Sequence, residues 1–258
     1  MRRILSRALW VTGLVYLTGC AAVATVQRSL LYYPQPASGT SLGTTERLPT
    51  QDADVLVSVR AHSGDPAVIY FGGNAESVDS QLPALVKAFP DRAIYALNYR
   101  GFSGSSGKPS EEALQADALV LFDRVFSIHP DIIVIGRSLG SGIAIRVGAK
   151  RPVTKLVLVT PYYSIEELAE LHFPFLPVPL LLLDKYESWR YAPQITEPTL
   201  ILVAEHDGVV PRSSTDELLV LFHPGVTSTV VIAGSDHGSI TDKESYVAAL
   251  AAFGAAPS

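Results

Sequence analysis

Two kinds of apolar run alternate along the chain. Short unbroken ones, such as Ile132-Ile133-Val134-Ile135 and Lys155-Leu156-Val157-Leu158-Val159, read as strands covered on both faces. Between them, apolar residues recur at helical spacing, as in Leu82, Leu85, Val86 and Phe89. The pattern predicts strands at 55–60, 67–71, 93–98, 132–135, 155–159, 199–203 and 229–232. Ser63-Gly64-Asp65-Pro66 reads as a turn that makes the first two a hairpin. Ser110, with Glu111 and Glu112 behind it, opens a helix running to about residue 128. Another helix follows the 132–135 strand and runs to about residue 151. Strands and helices alternating at this spacing imply an α/β fold: a mainly parallel central sheet, right-handed crossovers and helices on both faces. Sites in such sheets lie beyond the C-terminal strand ends.

The residues at those strand ends carry the candidate chemistry. Gly136-Arg137-Ser138-Leu139-Gly140 joins the 132–135 strand to a helix. A Gly-x-Ser-x-Gly match alone is weak; between a buried strand and a helix it marks a strained turn that presents the Ser138 hydroxyl. Gly72-Gly73 follows the 67–71 strand and allows backbone N–H groups to approach a ligand, as half of an oxyanion hole requires. With Ser138 as nucleophile, the acid should follow a later strand and the base should come last. Asp207, in Glu205-His206-Asp207-Gly208, occupies the first slot, with Glu205 as a possible substitute. His237, in Gly234-Ser235-Asp236-His237-Gly238, occupies the second. Asp236 is read as a decoy, and His223 as the cap of a helix end before Pro224-Gly225.

Composition narrows the rest. The chain has 258 residues, 48% hydrophobic and 17% charged, enough for one large domain and not a multi-span membrane protein. A net charge of −5 without a long basic run excludes nucleic acid as an expected partner. A single cysteine excludes an intramolecular disulfide, and the six scattered histidines give a metal site little support.

The N-terminus reads as an address. Arg2, Arg3 and Arg7 form a basic segment, and residues 8–17 are an apolar stretch of signal-peptide length. Leu17-Thr18-Gly19-Cys20 then resembles the lipobox of bacterial lipoproteins, cut before the cysteine and diacylated on its thiol. The alternative is an uncleaved anchor helix with an incidental cysteine. Residues 1–19 are thus expected to be a signal peptide and 20–45 a lipidated tether, irregular because of Pro34, Pro36, Ser38, Gly39 and Ser41. The folded domain is expected over 46–258. Leu30-Leu31-Tyr32-Tyr33-Pro34 is expected either to pack on that domain or to lie at a lipid interface. By family analogy Ala21 lacks the Asp that favours inner-membrane retention, so outer-membrane attachment facing the periplasm is expected.

Taken together, the chain resembles serine hydrolases of the α/β-hydrolase fold, and most of all the Bem46-like branch, which includes the ABHD13- and ABHD17-like hydrolases. Five stretches carry the likeness: Tyr70-Phe71-Gly72-Gly73-Asn74-Ala75, Asn98-Tyr99-Arg100-Gly101-Phe102-Ser103-Gly104-Ser105, Gly136 to Ser141, Glu205 to Pro211, and Asp236-His237-Gly238. The resemblance implies a Ser138, Asp207, His237 triad, and an oxyanion hole from Gly72, Gly73, Asn74 and Ala75 with the backbone of Leu139. It implies no cofactor.

Two departures stand out. The family has His-Gly-Asn-Ala-Gly in the oxyanion loop; here Gly72 replaces the His, and Glu76 the second Gly, which should bring a negative charge near the mouth. Asp236 precedes the base. Substrate choice should rest on residues 161–183, dense in apolar positions, either as a minimal cap lining an acyl pocket or as ordinary packing on the core. The expected reaction is hydrolysis of esters or thioesters of small to medium acyl groups through an acyl-enzyme. A membrane-anchored acyltransferase, a peptidase and a non-catalytic binding lipoprotein on the same scaffold are the alternatives.

Overall fold

The computed structural model describes residues 2–39 and 42–256, with side chains from Trp10 onward. The expected basic side chains of Arg2, Arg3 and Arg7, and the tether residue Ser41, lie outside that description. Eight strands form one sheet: β1 (Thr44–Pro49), β2 (Asp54–Arg60), β3 (Pro66–Phe71), β4 (Ala93–Asn98), β5 (Asp131–Arg137), β6 (Lys155–Val159), β7 (Thr199–Ala204) and β8 (Thr227–Ile232). Their order is β1-β2-β4-β3-β5-β6-β7-β8. The β1–β2 and β2–β4 pairs are antiparallel. All pairings from β4–β3 onward are parallel.

The nine helices among the described residues are α1 (Arg2–Leu31), α2 (Leu82–Ala88), α3 (Glu111–Phe126), α4 (Leu139–Gly148), α5 (Ile165–His172), α6 (Val178–Leu181), α7 (Ser188–Tyr191), α8 (Arg212–Leu219) and α9 (Glu244–Ala255). Alternation along the strands divides the core between the two faces of the sheet. Ile69, Ile132, Val134 and Leu156 pack with α3, α4 and α8, through Leu114, Leu121, Ile143 and Leu218. Val68, Ile133, Ile135 and Val157 pack with α2 and α9, through Leu82, Leu85, Tyr246 and Leu250. Both faces are therefore dry, which is why these strands show no polar alternation. Ser110 caps α3, its side chain accepting from the Ala113 amide at 3.2 Å.

Three expectations differ from the structure. β2 and β3 do not form a hairpin, because β4 lies between them and pairs with both. The hairpin falls one step earlier, in β1 and β2, whose turn is closed by Thr50 N–H on the Ala53 carbonyl at 3.0 Å. The stretch expected as an irregular tether is helical as far as Leu31, within α1. It is also docked: Tyr32 is buried, and its hydroxyl meets Asp184 at 3.1 Å and the Tyr186 hydroxyl at 2.9 Å. Of the two placements open for 30–34, Tyr32 takes the core, while Leu30 and Tyr33 stay largely exposed. The helix at the Ser138 turn also ends earlier than expected, at Gly148.

Candidate active site

Ser138 stands between β5 and α4 with φ 50° and ψ −119°, a conformation that L-residues rarely adopt. The turn closes only because its flanking residues are glycines. A Cβ on Gly136 would meet the Gly140 carbonyl oxygen at 2.3 Å, and one on Gly140 would meet the Phe71 carbonyl oxygen at 2.1 Å. Strain of this kind, of order 1–3 kcal/mol, is held by the surrounding core and points the side chain out of the sheet edge.

Two loops at the same edge face it. His237 follows β8, and its Nε2 lies 2.9 Å from Ser138 Oγ. Its Nδ1 lies 2.8 and 3.0 Å from the two carboxylate oxygens of Asp207, which follows β7. An ionised carboxylate only accepts, so Nδ1–H donates to Asp207 and leaves Nε2 free to accept the Ser138 proton. Burial pushes the Asp207 carboxyl upward, but hydrogen bonds from His237 and from the Val209 and Val210 amides outweigh it. The net result holds Asp207 below the ordinary carboxylate range, so it stays charged.

The other candidates are placed elsewhere. Glu205 accepts from the Gly234 amide at 2.6 Å. Asp236 folds into its own turn, accepting from the Gly238 and Ser239 amides and the Ser239 hydroxyl. The same bonds hold its carboxyl below the usual range. α8 ends at Leu219, so His223 is not a helix-end cap; it sits exposed in the loop beyond.

The oxyanion side is narrower than expected. Leu139 is the first residue of α4, where backbone N–H groups have no intrahelical partner. Asn74 and Leu139 line the same cleft as Ser138, whereas Gly72, Gly73 and Ala75 do not. The Gly73 amide is not free, because it donates to Glu76 at 2.8 Å. The Gly72 carbonyl accepts from Tyr99. Asn74 is fixed from behind: its Nδ2 donates to the Leu31 carbonyl and its own carbonyl accepts from the Tyr33 amide, both at 2.9 Å.

Glu76 does not charge the mouth. It is 8% exposed and points into the body of the protein. Its carboxylate accepts from Tyr70 Oη at 2.7 Å, from the Gly73 amide, and from Arg137 Nη1 at 2.7 Å. Arg137 in turn donates Nη2 to the His237 carbonyl at 2.9 Å. A buried ion pair thus ties the Gly73 loop to the His237 loop through the residue before the nucleophile. Sequence reasoning missed Arg137, since the motif leaves that position free.

Ser138 opens onto an apolar cleft of about 240 Å³. One wall is the cap that follows β6, with Ile165, Leu168, Leu176 and Leu181. A further wall is α1, with Val23, Gln27, Leu30 and Leu31. Gln27 clips the walls together, donating to the Leu181 carbonyl and accepting from the Leu183 amide. Arg28 pairs with the buried Asp184 at 2.9 Å.

The Alpha/beta hydrolase family matches residues 62–198, a span that includes Ser138 and Asn74 and ends before Asp207. The chain belongs to the alpha/beta hydrolase family. It is 29% identical over 235 residues to the Mycobacterium tuberculosis protein MT2364, covering 83% of this chain and 82% of that one. It is 26% identical over 178 residues to bem46 of Schizosaccharomyces pombe, covering 63% and 58%. It is 29% identical over 212 residues to the lysophosphatidylserine lipase ABHD12 of Danio rerio, covering 70% and 55%. Kinship with bem46 and ABHD12 fits the Bem46-like branch of this hydrolase family. The esterase Pf2001 of Pyrococcus furiosus shares the fold with a TM-score of 0.69 at 15% identity, covering 86% of this chain and 95% of that one.

Proposed function

We propose that this alpha/beta hydrolase is a serine esterase or thioesterase acting on a single apolar acyl chain. The observation that carries the reading is the unbroken relay from Asp207 through His237 to Ser138, opening onto the apolar cleft. His237 Nε2 takes the proton as Ser138 Oγ attacks the acyl carbonyl, and Asp207 stabilises the imidazolium that forms. The Leu139 amide and the backbone at Asn74 hold the oxyanion, each donor contributing about 3 kcal/mol to the transition state. His237 then protonates the leaving group, and a water molecule that it activates releases the acid from the acyl-enzyme. No cofactor has a part in this sequence. The apolar walls favour small to medium acyl chains, and the name of the zebrafish relative supports a single-chain lipid ester as the substrate class.

The same reading places the protein at a membrane, as a lipoprotein cleaved before Cys20 and held at the outer membrane facing the periplasm. The apolar 22-residue stretch Trp10–Leu31 supports the membrane placement alone; cleavage before Cys20 rests on Leu17-Thr18-Gly19-Cys20. The α1 residues that line the cleft all follow Cys20, so cleavage leaves that wall in place. Mass spectrometry of the membrane form should find a diacylated Cys20 as the first residue. A fluorophosphonate probe should label wild-type protein at Ser138, and Ser138→Ala should abolish labelling and ester turnover with an unchanged circular-dichroism spectrum. Hydrolysis that persists in Ser138→Ala would end the proposal.

A further inference from the structure

The cap carries an apolar surface that the catalytic reading leaves unused. Phe175 and Leu180 are 87% and 86% exposed, and Phe173 and Leu183 are more than half exposed. Phe173 also lines the cleft, but Phe175 and Leu180 do not, so substrate contact does not explain those two. No charged residue occurs between His172 and Asp184. A soluble surface rarely keeps so many large apolar side chains together without a partner.

The neighbouring element says what that partner is. Tyr16 of α1 donates its hydroxyl to the Phe175 carbonyl at 2.9 Å, so the tip of the cap is held against the middle of α1. Just beyond lie Trp10, Val11, Leu14, Val15 and Leu17, all exposed, in a helix with no charged residue between Arg7 and Arg28. Only 11% of its most apolar window is buried, so α1 is not a core helix. Cys20 lies one turn from Tyr16. Whether the anchor is the helix itself or acyl chains on Cys20, it enters the membrane beside Phe175.

We propose that Phe175 and Leu180, with Phe173 and Leu183 flanking them, are a bilayer-docking surface that seats the cap in the acyl region of the membrane holding α1. The cleft between cap and α1 then draws its acyl chain from the bilayer rather than from water. This rests on the esterase reading for its substrate and on geometry for the docking.

The test uses the membrane form of the protein with Trp189→Phe and, where residues 1–19 are retained, Trp10→Phe, reconstituted in phosphatidylcholine vesicles. Tryptophan is introduced at Phe175 or, as a control, at Val220, which is 79% exposed at the end of α8. Dibrominated phosphatidylcholine should quench Phe175→Trp by at least half and leave Val220→Trp unchanged. Equal emission at the two positions overturns the proposal. So does a detergent-solubilised dimer that Phe175→Ser with Leu180→Ser dissociates, which would assign the patch to a second copy of the chain. That double variant should hydrolyse a water-soluble short ester at the wild-type rate and a medium-chain ester embedded in vesicles at least tenfold more slowly. Equal rates on the vesicle substrate count against docking. Absence of probe labelling at Ser138 counts against the esterase reading alone, because quenching needs no turnover.

Discussion

Removing the Glu76 carboxylate should be costly although Glu76 lies outside the relay. In Glu76→Ala, Arg137 loses its counter-charge while its side chain remains 12% exposed, and Tyr70 and the Gly73 amide lose an acceptor. Breaking a buried pair from one side costs about 3–5 kcal/mol, because the surviving charge stays desolvated. For a domain of this size each kcal/mol moves the melting midpoint by roughly 2–4 °C, so the variant should melt roughly 6–20 °C below wild type. Arg137 also holds the His237 carbonyl, so turnover should fall along with stability. Thermal unfolding followed by circular dichroism at neutral pH gives the first number, and the rate of fluorophosphonate labelling the second. The companion Glu76→Gln, Arg137→Met should be less damaged than the two single variants combined, by at least about 1 kcal/mol. A Glu76→Ala protein that melts within about 2 °C of wild type would refute the buried-strut reasoning.

Other outcomes follow from the same geometry. Asp207→Asn should lower turnover by about 10⁴-fold by fixing the wrong imidazole tautomer, measured by burst and steady-state kinetics. Asp207 has a depressed folded pKa, so its stabilising contribution is complete above about pH 5 and fades as pH falls below the unfolded value of about 3.9. The stability difference between wild type and Asp207→Asn should therefore shrink on acidification, as read from urea titrations. Gly140→Ala should fail to fold, because its Cβ would lie 2.1 Å from backbone oxygen; soluble yield and circular dichroism report this. Val23→Trp should narrow the cleft from its α1 wall, lowering kcat/KM on medium-chain esters while sparing acetyl esters.

How much of this the chain disclosed depended on range. The Ser138 turn was legible because its causes are local: an apolar run, two glycines that a Cβ would exclude, and a helix start. Asp207 and His237 were legible from chain order, since each follows a strand at one edge of a parallel sheet. The β2–β3 hairpin was misread because the turn signal at 63–66 is real, while β4, inserted from 30 residues further on, leaves no trace there. Glu76 looked like a charge at the mouth because its partner stands 61 residues away. For the docking of α1 the chain offered packing of residues 30–34 on the domain only as one of two placements, and its ties to the cap were hidden by range: Arg28 and Asp184 are 156 residues apart.

That last gap changes what the N-terminus is. A tether would carry no energetic link to the site, and its length and sequence would matter little. Here the end of α1 is tied to the cap by Gln27 and by Arg28, whose half-exposed guanidinium pairs with the buried Asp184. Tyr32 adds to this by burying its ring within the domain. The carbonyl of Leu31 and the amide of Tyr33 then both bond Asn74, the residue that lines the cleft beside Ser138. On the proposed mechanism, undocking that segment should release Asn74 from its position beside Ser138. On the proposed reading, the element that would fasten the protein to a membrane contacts Asn74, which lines the cleft beside Ser138.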